Sequence, residues 1–348
     1  MHAHALIPNL ILAMAVAGGL VCSGRRDLSF EGYTMAARYA ASGRHCTDPD
    51  RVRADVEAAF YAVDSAMSNW SAKSEVSRFN NLPPGEAIPV SEGLREVLEA
   101  SGHVHAGTGG LFDPTIGESI EIWGFGVRTQ SSLPDEPQIQ RALRNSGWNG
   151  LHLKGSTLTR LRPVQLNLGG IAKGYAVDRA AAAMGKHCLE YLVEAGGEIR
   201  LRGKWPVEIQ HPAHEGGIAR MDLEDVAVAT SGVYANKKVV NGKRYSHIIH
   251  PRTGRPAHYA VSVTVTGASC AIADGLATAL ILADEKDYDA ILKRFPGYGA
   301  VAFVKTTNGF RTIRAGAAPE IHCNPAARTS APATAEASGT TTLLPNCL

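Results

Sequence analysis

Asn167–Asp178 reads NLGGIAKGYAVD, and the reading of the fold turns on it. The run LHLKGSTLTRLRPVQLNLGG supplies two strands, the second leading straight into the glycines, and AKGYAVDRAAAAMGKHC continues as a helix. A glycine turn that opens a helix presents backbone N–H groups without intrahelical partners, where an anion is favoured. Lys173 adds positive charge beside it. The order G-x-x-x-x-G-K-[ST] is absent because Lys173 precedes Gly174, and G-x-G-x-x-G is absent as well. Phosphate-binding loops of those two kinds are therefore excluded. The plain alternative is a strand-to-helix turn that needs small residues for packing.

Outward from that loop, SFEGYTMAARYAAS reads as a strand, and DPDRVRADVEAAFYAVDSAMSNW as a helix. In that helix Val52, Val56, Phe60, Val63 and Met67 recur every three or four residues, which places them on one face. GLREVLEASGHVHAGTGG is a second helix stopped by its glycines, and PDEPQIQRALRNSG a short one ending at Gly147. On the other side EYLVEAGGEIRLRG is a strand-turn-strand, Ala227–Gly267 is strand-rich, and ASCAIADGLATALILA starts an apolar helix. AVAFVKTTNGFRTIRA is a closing hairpin turned at Asn308-Gly309. Helices and strands alternate without a βαβ rhythm, which predicts an α+β fold.

Composition narrows the function classes. The chain has 348 residues, 45% hydrophobic and 20% charged, with a formal net charge of +2. That charge is too small to argue for nucleic acid or an anionic membrane surface. Leu6–Val21 is apolar, with Ala15-Val16-Ala17 as a cleavage pattern, so residues 1–27 read as a signal peptide or membrane leader. MHAHA has no Lys or Arg to form a positive n-region, which keeps a mis-assigned start codon open, and Cys22 invites a lipoprotein reading that Val21 does not favour. The six cysteines form no C-x-x-C pair, so neither a zinc ribbon nor a dithiol redox site is signalled. Beyond Ala315 the composition shifts to Ala, Thr, Ser and Pro, which predicts a disordered tail over 316–348.

Four other stretches carry chemistry. In ADGLATAL, Asp274 and Thr278 are four apart and share a helix face. Carboxylate and hydroxyl oxygens suit Mg²⁺ or Ca²⁺; the plain reading is an Asp near a helix start and a Thr bonding back to the preceding turn. YSHIIHPRTGRP places His247 and His250 before a turn, and a histidine is the usual general base. GGLFDPTIGESIEIWGFG holds Asp113 in a loop and Trp123 before a glycine. In AMSNWSAKSEVSRFNN, Ser74 to Ser77 reads as the cap of a short helix, and Trp70 as a rim aromatic able to stack on a planar ligand.

Taken together and in this order, AMSNWSAKSEVSRFNN, GLFDPTIG with WGFG, NLGGIAKGYAVD, EAGGEI, ATSG, YSHIIHPRTGRP and ADGLATAL resemble the ApbE-type FAD:protein FMN transferases. The resemblance runs from about Phe30 to Arg314. It implies a compact, layered, T-fold-like α+β domain with largely antiparallel sheets over residues 28–315. It also implies transfer of FMN from FAD to a Ser or Thr of a target protein, with release of AMP and with Mg²⁺ on the pyrophosphate. Asp274 and Thr278 match the family's side-chain metal ligands, completed by a backbone carbonyl near Gly170, and His247 its base. Met35, Trp70, Asp113, Asn167 and Lys173 match FAD-contacting positions, with Ser231 and Gly232 nearby. By the same resemblance the partner is a membrane redox-complex subunit or an extracytoplasmic reductase, and the enzyme is exported, periplasmic or attached to the inner membrane facing the periplasm. With a mis-assigned start it would be cytoplasmic.

The sequence departs from the family pattern at several places. M-G-T reads Met35-Ala36-Ala37, the usual Asp before L-G-G-I-A-K-G is Asn167, and the Asp of H-I-I-D-P is His250. An FAD pyrophosphatase, in which water attacks, and a non-catalytic flavin-binding protein remain as alternatives.

Overall fold

A computed structural model describes residues 25–127, 130, 132–210, 216–233, 237–257, 260–306 and 309–323. The apolar leader stretch, Cys22, Asn308, Cys347 and most of the Ala/Thr/Ser tail lie outside these residues. Among the described residues no helix is long and apolar enough to cross a membrane.

The centre is an eight-stranded sheet: β1 (Arg26–Thr34), β2 (Ala37–Cys46), β3 (Glu190–Ala195), β4 (Glu198–Arg202), β5 (Ala227–Gly232), β6 (Ser262–Gly267), β7 (Gly299–Thr306) and β8 (Gly309–Gly316). Spatial order follows chain order, and every neighbouring pair is antiparallel. The helices are insertions between strands: α1 (Pro49–Met67), α2 (Glu92–Gly107) and α3 (Ala172–Met184) between β2 and β3, and α4 (Cys270–Leu280) between β6 and β7. Hence no parallel crossover is needed, and the α+β class follows.

Alternation along the strands separates two cores. Ala227, Ala229, Ala300 and Ala302 face the helical core, whereas Val228, Val301 and Phe303 face the opposite one. Alanines on the helical side leave room for α4 to lie close to the sheet. The opposite face is covered by a hairpin, Lys204–Gln210 and Gly217–Glu224, through Trp205, Val207, Ile209, Ile218, Met221 and Leu223. The molecule is thus layered, helices on sheet on smaller sheet.

Helix α1 shows why the periodicity was legible. Asp48 caps it by accepting from the Arg51 N–H at 3.1 Å, and Val52, Val56, Phe60, Val63 and Met67 are its buried row. Each large apolar side chain removed from water contributes about 1.5–3 kcal/mol. Ser74 caps Glu75–Asn80 by accepting from Ser77 N, as its sequence implies.

Four elements differ from the sequence reading. SFEGYTMAARYAAS is two strands, because Met35 (φ 46°) and Ala36 (φ 60°) form the two-residue turn between Thr34 and Ala37. Such turns normally carry Asn-Gly, and neither residue is present to signal one. The strand Thr157–Arg160 ends well before Asn167, since Leu161–Leu166 crosses first to pair Gln165 with Ile116. In the closing hairpin Gly309 is already in the strand, paired with Thr306. The helix in PDEPQIQRALRNSG spans Glu136–Arg144, ending before Gly147.

Two of the cysteines are joined: Cys46, at the end of β2, bonds Cys188, just after α3. Cys270 is buried and free.

Candidate active site

The loop that precedes α3 is the hub of the site. Leu166 is clamped by two asparagines: its N–H donates to Asn80 Oδ1 at 2.7 Å, and its carbonyl accepts from Asn69 and Asn80 at 2.8 and 2.9 Å. This ties the Asn69-Trp70 segment to the loop and leaves Trp70 68% exposed at the rim. Asn167 donates its N–H to the Pro114 carbonyl at 2.8 Å, which brings in the Asp113 loop. Its side-chain oxygen accepts from Gly169 N at 3.0 Å. The acceptor that an aspartate would offer there is therefore kept without its charge. Asp113 is buried and accepts both the N–H and the hydroxyl of Thr115, at 2.8 and 2.6 Å.

Behind the loop the starts of α3 and α4 cross at backbone contact. A Cβ on Gly174 would lie 2.3 Å from the Cys270 carbonyl oxygen, so only glycine fits. Each helix then caps the other. Asp274 of α4 accepts from Gly174 N at 3.2 Å. Asp178 of α3 accepts from Cys270 N, Ala271 N and the Ser269 hydroxyl at 3.0, 3.1 and 2.9 Å. Carboxylates at helix N-termini are favoured by the unpaired N–H groups there. Both halves of the site are fixed to one another by this reciprocal arrangement.

Around that crossing sits a buried charge cluster. Lys173 donates to Glu198 at 2.6 Å, and Glu198 and Asp274 are each almost fully buried. Burial pushes Glu198 up to about 8, against the pull of Lys173. Burial pushes Asp274 up to about 6, against Lys173 and the Gly174 N–H. Glu194 is raised by burial too, and accepts from Gly197 N at 3.1 Å. Burial opposes the charged form of Lys173, but Glu198 and Asp274 outweigh it and raise its pKa. Lys173 thus sits among three carboxylates, with Arg38 also acting on Glu194, and positive charge is outnumbered in the cluster.

The neutral oxygens lie next to it. Thr278 Oγ1 is 3.3 Å from the Ser231 hydroxyl. A Cβ on Gly170 would come within 2.8 Å of Thr278 Oγ1, so the Gly170 backbone is at contact with it. Asp274 therefore does not simply cap its own helix. Its buried carboxylate, the Thr278 hydroxyl and the Gly170 backbone supply the hard oxygen donors that Mg²⁺ takes, and the local charge deficit favours a cation. Among the described residues no three His, Cys, Asp or Glu side chains gather as a metal site. A site of one carboxylate and neutral oxygens suits Mg²⁺, which keeps several waters, better than zinc.

Met35 occupies the strained turn described above. Ala37 stands beside it, and a Cβ on Gly196 would be 3.1 Å from Ala37 Cβ and 3.7 Å from Lys173 Cδ. Non-glycine residues at positive φ cost about 1–3 kcal/mol each and cluster at functional sites. Gly232 ends β5 opposite Ser262. His247 is half-buried, with its ring edge-on to Phe125 at 6.3 Å. The turn after it is held by Trp123 Nε1, which donates to Gly254 O at 2.7 Å, and by Arg252, which donates to Gly109 O at 2.9 Å. His250 Nδ1 accepts from Arg252 N at 3.1 Å, filling the acceptor place of a carboxylate. Burial and the Arg252 charge hold its pKa below the usual imidazole value. A cavity of about 320 Å³ opens beside this turn, lined by Thr108, Leu111, His250, Arg252, Leu282 and Arg294 among others. None of Gly170, Lys173, Asp274 or Thr278 lines it.

Sequence reasoning missed Glu198, Glu194 and Asp178. Two of them flank the glycines of the quoted EAGGEI, and two acids on either side of a tight turn were the available signal.

Residues 32–302 match the profile of the ApbE family. The FAD:protein FMN transferase of Chlamydia trachomatis serovar D is 34% identical over 270 residues, covering 74% of this chain and 85% of that protein. The FAD:protein FMN transferase of Vibrio cholerae serotype O1 is 34% identical over 278 residues, covering 76% and 82%. Among solved structures, the flavin transferase ApbE from Vibrio cholerae superposes with a TM-score of 0.76 at 30% identity, covering 84% of this chain and 98% of that one. The apo form of the Pseudomonas stutzeri flavinyl transferase ApbE gives 0.76 at 31%, covering 84% and 96%.

Proposed function

The chain belongs to the ApbE family, and from that premise we propose that it is a Mg²⁺-dependent FAD:protein FMN transferase. It joins FMN through a phosphoester to a Ser or Thr of a target protein and releases AMP. The observation that carries this reading is the crossing of two helix starts, which sets Asp274, Thr278 and Gly170 together beside the buried Lys173–Glu198 pair.

The roles follow from the chemistry. Gly170, Asp274 and Thr278 would hold Mg²⁺, which offsets pyrophosphate charge and stabilises the departing AMP oxygen when bound. The Asn167–Lys173 glycine turn, which opens helix α3, would orient the phosphates through the Gly170 N–H. Lys173, pinned by Glu198, keeps its ammonium at that loop. His247 takes the proton from the acceptor hydroxyl as its oxygen bonds to the FMN phosphorus and the bridging P–O bond to AMP breaks. Met35, Trp70, Asp113, Asn167, Ser231 and Gly232 contact FAD. The Cys46–Cys188 disulfide supports an exported, periplasm-facing enzyme, because such bonds persist in oxidising compartments. A target in a membrane redox complex or an extracytoplasmic reductase is consistent with that location.

The test is intact-mass analysis of an acceptor domain incubated with FAD, Mg²⁺ and either wild type or His247→Ala. A gain of FMN minus water, reduced about 10²–10⁴-fold in rate in the variant, is expected. Free FMN and AMP with an unmodified acceptor would instead mark a pyrophosphatase. Bound FAD without turnover would mark a flavin-binding protein.

A further inference from the structure

Resting on the transferase reading, we infer that the hairpin Lys237–Val240 and Lys243–Ser246 is the surface on which the acceptor polypeptide docks, and that the segment it takes is acidic. Ser246 is followed directly by His247, so a polypeptide that presents its hydroxyl to His247 comes beside the end of this hairpin. The stretch KKVVNGKRYS carries four basic residues and no acid.

Its geometry suits a docking edge. The two strands form a sheet of their own, so among the described residues neither outer edge has a strand partner. An isolated hairpin is marginal in water and gains from an added strand. Its root is anchored. Lys238 Nζ donates to the carbonyls of Trp123 and Gln130 at 3.4 and 2.5 Å, and the Tyr245 ring lies 5.5 Å from that of Trp123. Its tip is a tight turn, Asn241 and Gly242 both at positive φ. On the outer face Val239 pairs with Arg244 and is 58% exposed. Lys243 and Arg244 are exposed as well, and neither enters an ion pair among the described residues. An anchored, cationic, strand-like edge with one apolar contact point is thus continuous with the proposed base.

The experiment uses two short peptides, one with a single threonine flanked by aspartates and a twin with asparagines instead. Wild type, Lys243→Gln/Arg244→Gln and Lys243→Glu/Arg244→Glu are compared for FMN transfer by mass spectrometry, and for FAD affinity by flavin fluorescence. Wild type is expected to prefer the aspartate peptide by at least about tenfold in kcat/KM at low salt, and less at high salt, as exposed charges are screened. The glutamine variant should lose that preference and the glutamate variant reverse it, with FAD affinity unchanged. Equal use of both peptides by wild type overturns the proposal, as does a preference that survives in the glutamine variant. A parallel fall in FAD affinity also overturns it, by moving the hairpin to the nucleotide site. Should the glutamate variant not fold, the glutamine variant alone decides. No FMN on either peptide from any of the enzymes overturns the transferase reading itself.

Discussion

Replacing Gly174 with alanine tests the crossing on which the site is built. The added Cβ would stand 2.3 Å from Cys270 O, 2.7 Å from Cys270 C and 2.9 Å from Ala271 Cα. All three atoms are backbone, so no side chain can rotate away. One helix start must move by about 1 Å against the other to restore ordinary contact. Overpacking of this kind costs about 1–3 kcal/mol. The same shift stretches the bonds from Gly174 N to Asp274 and from Cys270 N and Ala271 N to Asp178. Weakening these adds roughly 1–2 kcal/mol. We expect a loss of about 2–5 kcal/mol, read as a Tm lowered by about 4–20 °C at roughly 2–4 °C per kcal/mol. Gly155→Ala is the control, since Gly155 has φ +56° with nothing within 4 Å. Its cost is left-handed strain alone, about 1–2 kcal/mol. At a temperature where both variants are folded, FMN transfer by Gly174→Ala should fall by about 10²-fold, because Asp274 is displaced from Gly170 and Lys173. A Gly174→Ala protein with a Tm no lower than the control and full transfer would refute the reasoning.

Reduction of the Cys46–Cys188 bond, which spans a sequence separation of 142, should lower stability by about 2–4 kcal/mol. The check is a thermal melt with and without reductant, matched by Cys46→Ser/Cys188→Ser, which should no longer respond. Mg²⁺ should raise the Tm of wild type and not that of Asp274→Asn, measured by calorimetry across metal concentration; an equal rise in both would remove Asp274 from the metal site. His250 has a folded pKa held below its ordinary value of 6.5, by burial and then by Arg252. The unfolded chain therefore binds its proton more tightly, so stability present above 6.5 is lost as pH falls through the lower folded value. Subtracting the melts of His250→Asn, whose oxygen still accepts from Arg252 N, from those of wild type should isolate that acid-side loss; a flat difference would deny it.

Legibility from the sequence divides by range of interaction. The row Val52, Val56, Phe60, Val63 and Met67 was readable because one helix face sets it. The turn at Met35-Ala36 was not, because its positive φ is imposed by the pairing of β1 with β2 rather than by Asn or Gly in the turn. Lys204–Gln210 and Gly217–Glu224 went unassigned, although Trp205, Val207 and Ile209 alternate, because nothing local says that a sheet needs its second face covered. In the site, Asp274, Thr278 and Lys173 were found as members of recognised motifs. Glu198 and Asp178 were not, since a carboxylate in a strand or helix becomes a counter-ion or a cap only when a distant element reaches it. Asp178 caps a helix start 92 residues away. Asn167 and His250 look like losses in the sequence, but each still offers the acceptor its turn requires.

The small residues of the helical core and the charge of the site have one cause. Ala227 and Ala229 on β5, together with Gly174 at the crossing, let α3 and α4 sit close enough to bury Asp274 beside Lys173 and Glu198. That closeness holds Asp274 at about 6 and Glu198 at about 8, so ionising either works against the fold. For acids raised in this way the sign is fixed: stability is highest when they are protonated and declines as pH rises through the folded values. On the proposed metal site, a cation held by Asp274 and Thr278 would offset that decline, since it favours the ionised carboxylate that burial disfavours, and binding to the native state alone stabilises it. On that reading, the folded enzyme would gain most from a cation in the pH range where burial alone works against the ionised Asp274.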